Sequence, residues 1–523
     1  MSFVLRPYQT RSINAARSAM AAGHRAVVLV APTGSGKTVV FGEIARSAVA
    51  KGRRVLILAH RAELLTQAAG KLTTIEVGHG LISPHFPYQP DALVQIASVQ
   101  TLARRLEKLD LDPDLIIIDE CHLSIAAQYQ AVVAAFPKAF LLGVTATPAR
   151  LDGKGLGRAD GGLYDALVQE VTMRELIAEG HLCRPRVFAP TQLDLSGLHT
   201  RAGDFAANEV AALVDKPKLI GDVVEHYRRL AHGRPSVAFC ASREHAAKVR
   251  DAFRAAGYRA EMLDGTQETE HRAEIIHKLG SGEVDVVTNC QLLIEGVDQP
   301  AISCVMLLTP TKSLTRYLQS VGRGLRLHPG KSDCIVLDHA NLVQTHGLPQ
   351  VDRDWSLDAS RKKRRSSREE EERLAVRQCP DCYHTHEATD TACPECGHVY
   401  PIKSRELEQA EGSLEEISEE EAEAMRVSRR REESRARTLD ELIAIGQARG
   451  YKNPRAWARH RMAGRERSRQ ARPVSPPPEV QRHVPAAPLF DSCRYRRVLR
   501  PVGFLDRRNL RGRRSIARIS VFA

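Results

Sequence analysis

The chain has 523 residues and no apolar stretch long enough to span a bilayer, which excludes a transmembrane helix. Its opening residues, MSFVLRPYQT, lack the hydrophobic region of a secretory signal. The expectation is a soluble, cytoplasmic protein with no membrane partner. The body of the chain also lacks a basic excess. Formal net charge is +13, but residues 480–523 hold eleven arginines, two aspartates and no lysine, leaving 65 basic and 61 acidic side chains elsewhere. Any nucleic-acid track in the body must then be a local patch. Of eleven cysteines, four form one compact cluster; Cys240, Cys304 and Cys334 fall in apolar runs, as small buried residues do.

Two short strings carry the most chemistry. Ala26–Val30 (AVVLV) is a continuous apolar run, as in a strand buried on both faces. APTGSGKT follows at Ala31–Thr38, and Val39–Val49 then reads as a helix ending near Gly52. Strand, glycine loop and helix form the context of a phosphate-binding loop. Gly34 and Gly36 let backbone N–H groups turn inward around phosphate oxygens, with Ser35 between them. Lys37 reaches the β- and γ-phosphates, and Thr38 ligates Mg²⁺. Ala31 stands where the strict pattern has its first glycine. The competing reading, a glycine turn that binds nothing, is opposed by the second string. Leu115–Ile118 is another buried strand, with Asp119 and Glu120 at its carboxyl end, where open α/β sheets bind ligands. Asp119 suits the Mg²⁺ shell. Glu120 is the candidate for orienting or deprotonating the attacking water.

Strand–helix alternation continues. Val55–Ala59, Leu93–Ala97 and Phe140–Val144 read as strands, and a less regular stretch runs from about residue 150 to 190. A second series has strands at Ser236–Cys240, Ala260–Leu263, Val284–Thr288, Ser303–Leu308 and Cys334–Leu337, with a helix at Glu244–Ala256. The fold class is α/β: two tandem, mostly parallel sheets with helices on both faces. Only the first has a glycine-lysine-threonine loop, so ATP is expected in a cleft between the two. In the second, Gln319, Arg323 and Arg326 fall on one face of a helix at i, i+4 and i+7. They read either as a basic face in water or as arginine fingers on the transferring phosphoryl group.

Taken in order, these segments resemble superfamily 2 helicases and translocases of the DEAD/DEAH-box (DECH) kind, which have two RecA-like domains. The resemblance spans roughly residues 3–345 and is nearest to phage- and prophage-type bacterial members. It implies adenine recognition through Leu5-Arg-Pro-Tyr-Gln9, with Arg6 and Gln9 as contacts, and it makes alanine at the start of the phosphate loop usual. It implies nucleic-acid contacts by Arg61 in ILAHRAELLTQ, by Ser98 and Thr101 in ASVQTL, by Ser242 after Val237–Cys240, and by Thr288. It implies coupling of hydrolysis to movement through Thr145 and Thr147 of TATP. Gly296 and Asp298 are implied to approach the nucleotide, and Arg323 and Arg326 the γ-phosphate, with Gln319 beside them. The implied partner is nucleic acid, with DNA favoured over RNA.

Cys379-Pro-Asp-Cys382 and Cys393-Pro-Glu-Cys396 are two Cys-x-x-Cys knuckles, the pattern of a closed, structural Zn²⁺ site. A disulfide pair, or His384, His386 or His398 in place of one cysteine, are the alternatives. The segment is too short for a core of its own, so metal binding would drive its folding. Domain limits are expected at 1–189 (first RecA-like domain), 190–345 (second), 346–376 (charged connector), 377–402 (zinc ribbon), 403–470 (charged helical region) and 471–523 (disordered, arginine-rich tail). Within the helical region, Thr438 and Glu441 fit a capping box for a helix ending near Gly450. Trp457 among Arg455, Arg459 and Arg461 either stacks on a base or docks a short helix. The tail is either a nonspecific anion binder or an out-of-frame ending. A protein partner could engage the ribbon or the C-terminal region. The leading function is an ATP-dependent helicase or translocase using ATP, Mg²⁺ and Zn²⁺. The alternatives are an ATP-gated nucleic-acid clamp and the motor subunit of a restriction complex whose nuclease lies on a partner chain.

Overall fold

A computed structural model describes residues 4–60, 62–84, 86–150, 152–190, 193–290, 299–358, 375–401, 419–451 and 453–470. Arg61, Gly296, Asp298, the basic segment 361–373 and the tail lie outside these. None of the described helices is long and apolar enough to cross a membrane.

The first sheet has seven parallel strands: β1 (Ala26–Val30), β2 (Val55–Ala59), β3 (Gly80–Ile82), β4 (Val94–Ser98), β5 (Leu115–Asp119), β6 (Phe140–Thr145) and β7 (Ala166–Gln169), in spatial order β3-β4-β2-β5-β6-β1-β7. β1, β2 and β5 are almost wholly buried aliphatic segments, as strands covered on both faces require. Register brings the functional ends together. Val30 lies opposite Thr145, and Asp119 opposite Val144. The glycine loop, the carboxylates and the TATP segment therefore leave the sheet at one edge.

The second sheet is six-stranded and parallel: β8 (Arg184–Phe188), β11 (Ser236–Phe239), β12 (Ala260–Leu263), β13 (Val286–Asn289), β14 (Cys304–Leu307) and β15 (Asp333–Asp338), in order β12-β13-β11-β14-β15-β8. Between β8 and β11 lies a two-stranded hairpin, β9 (Thr200–Arg201) and β10 (Asp204–Phe205). β8 belongs to this sheet through its pairing with β15. The second sheet thus begins before the division expected at residue 189. Val171, Met173, Leu176 and Leu182, from the stretch that showed no periodicity, already pack in its core.

The expected connector 346–376 also needs correction. Leu348 and Val351 are buried in the second domain's core, whereas Trp355 and Leu357 pack against the first domain's core. Arg353 organises this crossing by donating to the carbonyls of His346, Leu348, Pro349 and Val351. Residues 347–358 are therefore a packed strap and not a solvated linker.

Gly143 shows how tightly the first sheet is covered. A Cβ added there would lie 2.5 Å from Tyr164 Oη. Gly143→Ala is expected to destabilise the protein by about 1–3 kcal/mol, read by urea unfolding, because a buried aromatic ring must move.

Candidate ATP site between two RecA-like domains

β1 delivers the chain to the glycine loop, and Ala31 N–H continues the ladder to the Thr145 carbonyl (2.9 Å). Gly34 and Gly36 have φ of +87° and +84°, a region open to glycine at little cost. Side-chain space is closed as well: a Cβ on Gly36 would meet Gln9 Nε2 at 2.7 Å, and one on Gly34 would meet Leu182 Cδ2 at 2.8 Å. Lys37 and Thr38 occupy the first turn of the helix Lys37–Val49, two residues earlier than expected, because left-handed Gly36 serves as its cap. The loop is held from outside by the Arg6-Pro-Tyr-Gln9 segment. Tyr8 Oη (2.8 Å) and Gln9 Nε2 (3.2 Å) both donate to the Ser35 carbonyl, while Gln9 Oε1 accepts from Arg6 N (2.9 Å). Tyr8 is absent from the motif-based set, yet it is buried in the second domain's core. An aromatic beside the proline was its only signal.

Asp119 ends β5, and Glu120 follows in the left-handed region, with φ 49° and ψ 53°. A non-glycine residue there is uncommon, and such strain concentrates at functional sites. Glu120 faces Lys37 Nζ at 3.7 Å and His122 Nδ1 at 3.4 Å. Burial alone would raise its pKa, but Lys37 and then His122 pull it down to about 2. Asp119 goes the other way. Burial, then the neighbouring Glu120 charge, push it up to about 6. Lys37 and His122 thus favour the charge on Glu120, and Asp119 is a carboxylate short of positive charge. Asp119 and the Thr38 hydroxyl are hard-oxygen donors of the kind Mg²⁺ takes. Three more buried polar atoms here, Thr33 Oγ1, Ser35 Oγ and Gln319 Nε2, have no partner among the described residues. The donor set fits a triphosphate and its cation.

The helix Leu314–Gly324 brings the second domain to this loop. Gln319 and Arg323 are buried, and the Arg323 charge helps depress the Glu120 carboxyl. Gly322 permits the approach: a Cβ there would lie 2.5 Å from Thr33 Cγ2. Arg326 does not share the helix face expected for it, since the helix ends at Gly324. It still lies near the phosphate loop, its Cγ 3.9 Å from a Cβ built on Gly34. The TATP segment closes the circuit. Thr147 Oγ1 donates to Thr315 Oγ1 across the domains (2.9 Å), and Thr147 N donates to Thr145 Oγ1 (3.1 Å). Thr145 Oγ1 in turn lies 3.2 Å from His122 Nδ1 and 3.5 Å from Glu120.

The expected strand contacts fare unevenly. Ser98 ends β4, and its hydroxyl donates to Gln100 Oε1 (2.8 Å); Thr101 lies half-buried in the turn of helix that follows. Ser242 caps the helix Arg243–Ala255 by accepting from His245 N (3.0 Å). Thr288 is fully buried and donates to the Ala246 carbonyl (2.9 Å), so its hydroxyl is not presented to a strand.

The four cluster cysteines come together: their Sγ atoms all lie within 4.8 Å of one another, with Cys379 and Cys396 at 3.6 Å and Cys382 and Cys393 at 3.7 Å. Zn–S bonds of about 2.3 Å place tetrahedral sulfurs about 3.8 Å apart. The two knuckles repeat one geometry. Cys379 N donates to His384 O and Cys393 N to His398 O, with Tyr383 (φ 64°) and Gly397 (φ 78°) left-handed at equivalent places. His386 instead meets Asp390 and Tyr400, and His398 meets Asp381. The ribbon, built on β16 (Val376–Gln378) and β17 (Thr385–Glu387), docks on the second domain. Arg186 pairs with both Asp333 and Glu395, Ala189 N donates to Tyr383 O, and Arg229 lies 5.2 Å from the Tyr383 ring centre.

The helices Glu419–Arg435, Leu439–Ala448 and Pro454–Gln470 form a separate unit. The expected capping box is present, Thr438 accepting from Glu441 N and Glu441 reaching back to Thr438 N. Trp457 packs in this unit's own small core with Ala436, Leu442 and Ala458. It docks a helix, the second of the two readings expected for it.

The Gly322 contact yields a test. Gly322→Ala places a methyl inside Thr33, and overpacking of about 1–3 kcal/mol borne by the closed arrangement lowers its population about 5- to 150-fold. Steady-state ATPase is expected to fall accordingly, and Thr33→Gly to restore part of it.

Residues 2–150 match the family described as Type III restriction enzyme, res subunit, and residues 215–328 match the helicase conserved C-terminal domain. A 51.5 kDa protein of a Lactococcus phage is 31% identical over 396 residues, covering 75% of this chain and 82% of that protein. IRC3 of Saccharomyces cerevisiae, named as a candidate ATP-dependent helicase, is 31% identical over 356 residues, covering 64% of this chain and 51% of its own length. This chain therefore spans about half of the yeast relative. In fold, it is similar to a fragment of an HsdR-type subunit of a type I restriction enzyme from Vibrio vulnificus, with a TM-score of 0.51, 24% identity and 65% of each chain covered. With the two half-sites in order and the phage relative matched over most of its length, the chain belongs to the superfamily 2 helicases, ATP-hydrolysing enzymes that act on nucleic acid.

Proposed function

We propose that this enzyme is a DNA-directed motor that hydrolyses ATP in the cleft between its domains and moves along the strand as the cleft closes and reopens. The observation that carries this reading is the seating of Gly322 on Thr33, which brings the buried Arg323 within electrostatic reach of the Glu120 carboxylate of the other domain. Lys37 and the loop N–H groups hold the β- and γ-phosphates. Glu120, ionised at neutral pH, accepts the proton of the attacking water. Arg323 and Arg326 stabilise charge on the transferring phosphoryl group. Thr38 and Asp119 would hold Mg²⁺, which neutralises phosphate charge when bound. The Thr145–Thr147–Thr315 path relays closure to the strand-binding edges. The four cysteines would hold one structural Zn²⁺ that keeps the ribbon folded against the second domain. The type III restriction match favours DNA and also a second reading, the motor subunit of a restriction complex. The cytoplasm is the proposed site of action.

Lys37→Ala and Glu120→Gln are expected to abolish turnover, with Glu120→Gln still binding a fluorescent ATP analogue. Hydrolysis retained in Glu120→Gln would remove it as the base. Arg323→Ala should lower kcat about a thousand-fold. ATPase assays with single-stranded DNA, duplex DNA and RNA should show stimulation by DNA; stimulation by RNA alone would reverse the substrate assignment. Metal analysis of the purified chain should find one zinc per chain, and Cys382→Ser should lower that content and the melting temperature together.

A further inference from the structure

The hairpin of β9 and β10 has no place in the motif series, yet it is fastened to the ATP-sensing helix. It turns through Ala202 and Gly203, both with positive φ, the geometry of a two-residue primed turn. Asp204 binds the loop that precedes the helix Leu314–Gly324 twice and the first turn of that helix once. Its carboxylate accepts from Thr311 Oγ1 (2.6 Å), Lys312 N (2.7 Å) and Arg316 Nη1 (3.3 Å). Lys312 closes back on the hairpin, donating to Thr200 Oγ1 and lying 4.8 Å from the Phe205 ring centre.

This places the hairpin at the carboxyl edge of the second sheet. Thr311 follows β14, and β14 pairs with β11, whose end leads to Ser242. Charged groups meet at this edge: the Asp264 carboxylate, then Arg243 and Arg316, all act on the Cys290 thiol, just past the end of β13. Arg201 and Lys312 are exposed on the hairpin side. Asp264 is engaged by Arg243 and Thr266, and Asp204 by the bonds above. Arg201 has no acidic partner among the described residues. The patch is therefore basic in a chain whose body is close to charge balance, which is the local excess that phosphate binding needs.

We propose that the hairpin is a nucleic-acid contact: Arg201 and Lys312 hold the phosphates of the bound strand, and Asp204 passes that contact to the arginine helix. The inference rests on the reading of the chain as a motor on nucleic acid. Its mechanical basis is the helix itself. The first turn carries Arg316, tied to the hairpin, and Thr315, tied to Thr147; the last turn carries Gly322 and Arg323 at the phosphate loop. A strand pulling on the hairpin pulls on the element that completes the ATP site.

The test uses the full chain, fluorescein-labelled oligo(dT) and oligo(U), and anisotropy titrations over a range of KCl. Arg201→Ala should weaken binding several-fold and reduce the slope of log affinity against log salt by about 0.7, one lost phosphate contact on a single strand. Arg201→Lys should restore most of both. Asp204→Asn should leave affinity within about two-fold while the ratio of strand-stimulated to unstimulated ATPase falls several-fold. Equal losses on both oligonucleotides fit a backbone contact; a loss confined to oligo(dT) fits a DNA-selective one. Unchanged affinity and slope for Arg201→Ala, with the parent binding normally, would overturn the hairpin's role alone. A parent that binds neither oligonucleotide nor duplex would overturn the motor reading and this inference together.

Discussion

The chemistry of this protein depends on one close approach: the helix Leu314–Gly324 lies so near the phosphate loop that Gly322 has no room for a methyl against Thr33. In the proposed reaction neither half-site suffices alone: the first domain would supply the phosphate cradle, the Mg²⁺ donors and Glu120, and the second the guanidinium groups that favour charge build-up. Because Arg323 is buried at this junction, its field is not diluted by solvent and is felt at Glu120. On the proposed mechanism, closure and catalysis are the same event.

Two further structures hold that approach in register. Residues 347–358 return from the second domain to the first, and Gly157 N donates to Leu357 O there (2.9 Å). Gly155 lies so close that an added Cβ would fall 1.6 Å from the same carbonyl. The strap thus seats on the segment that follows TATP. The ribbon braces the edge strand β8 through Arg186 and its two carboxylates.

Much of this was legible in the sequence where the causes are local. Continuous apolar runs marked β1 and β2 to the residue, since strands covered on both faces need no alternation. The Thr438 capping box was readable because its bonds span three residues. Phosphate loop, carboxylates and cysteine knuckles were readable because their chemistry fixes residue type and spacing together. What escaped was non-local. β8 carries Arg186, a charge that makes sense only once Asp333 and Glu395 arrive from elsewhere. The two-residue strands of the hairpin are too short to show a period. Tyr8 acts through the Ser35 carbonyl, a backbone group no motif encodes. Thr288 sits at the expected place, but spacing does not say which way a strand residue points, and it points into the core.

The central claim, that hydrolysis requires the two domains to be joined at this junction, is tested most directly by a double-mutant cycle on kcat across the Thr147–Thr315 hydroxyl pair. Thr147→Val, Thr315→Val and the double variant should show strong coupling, the double variant being little slower than either single one. Rate losses that simply multiply would show that the contact is not made when ATP is cleaved, and would contradict the account.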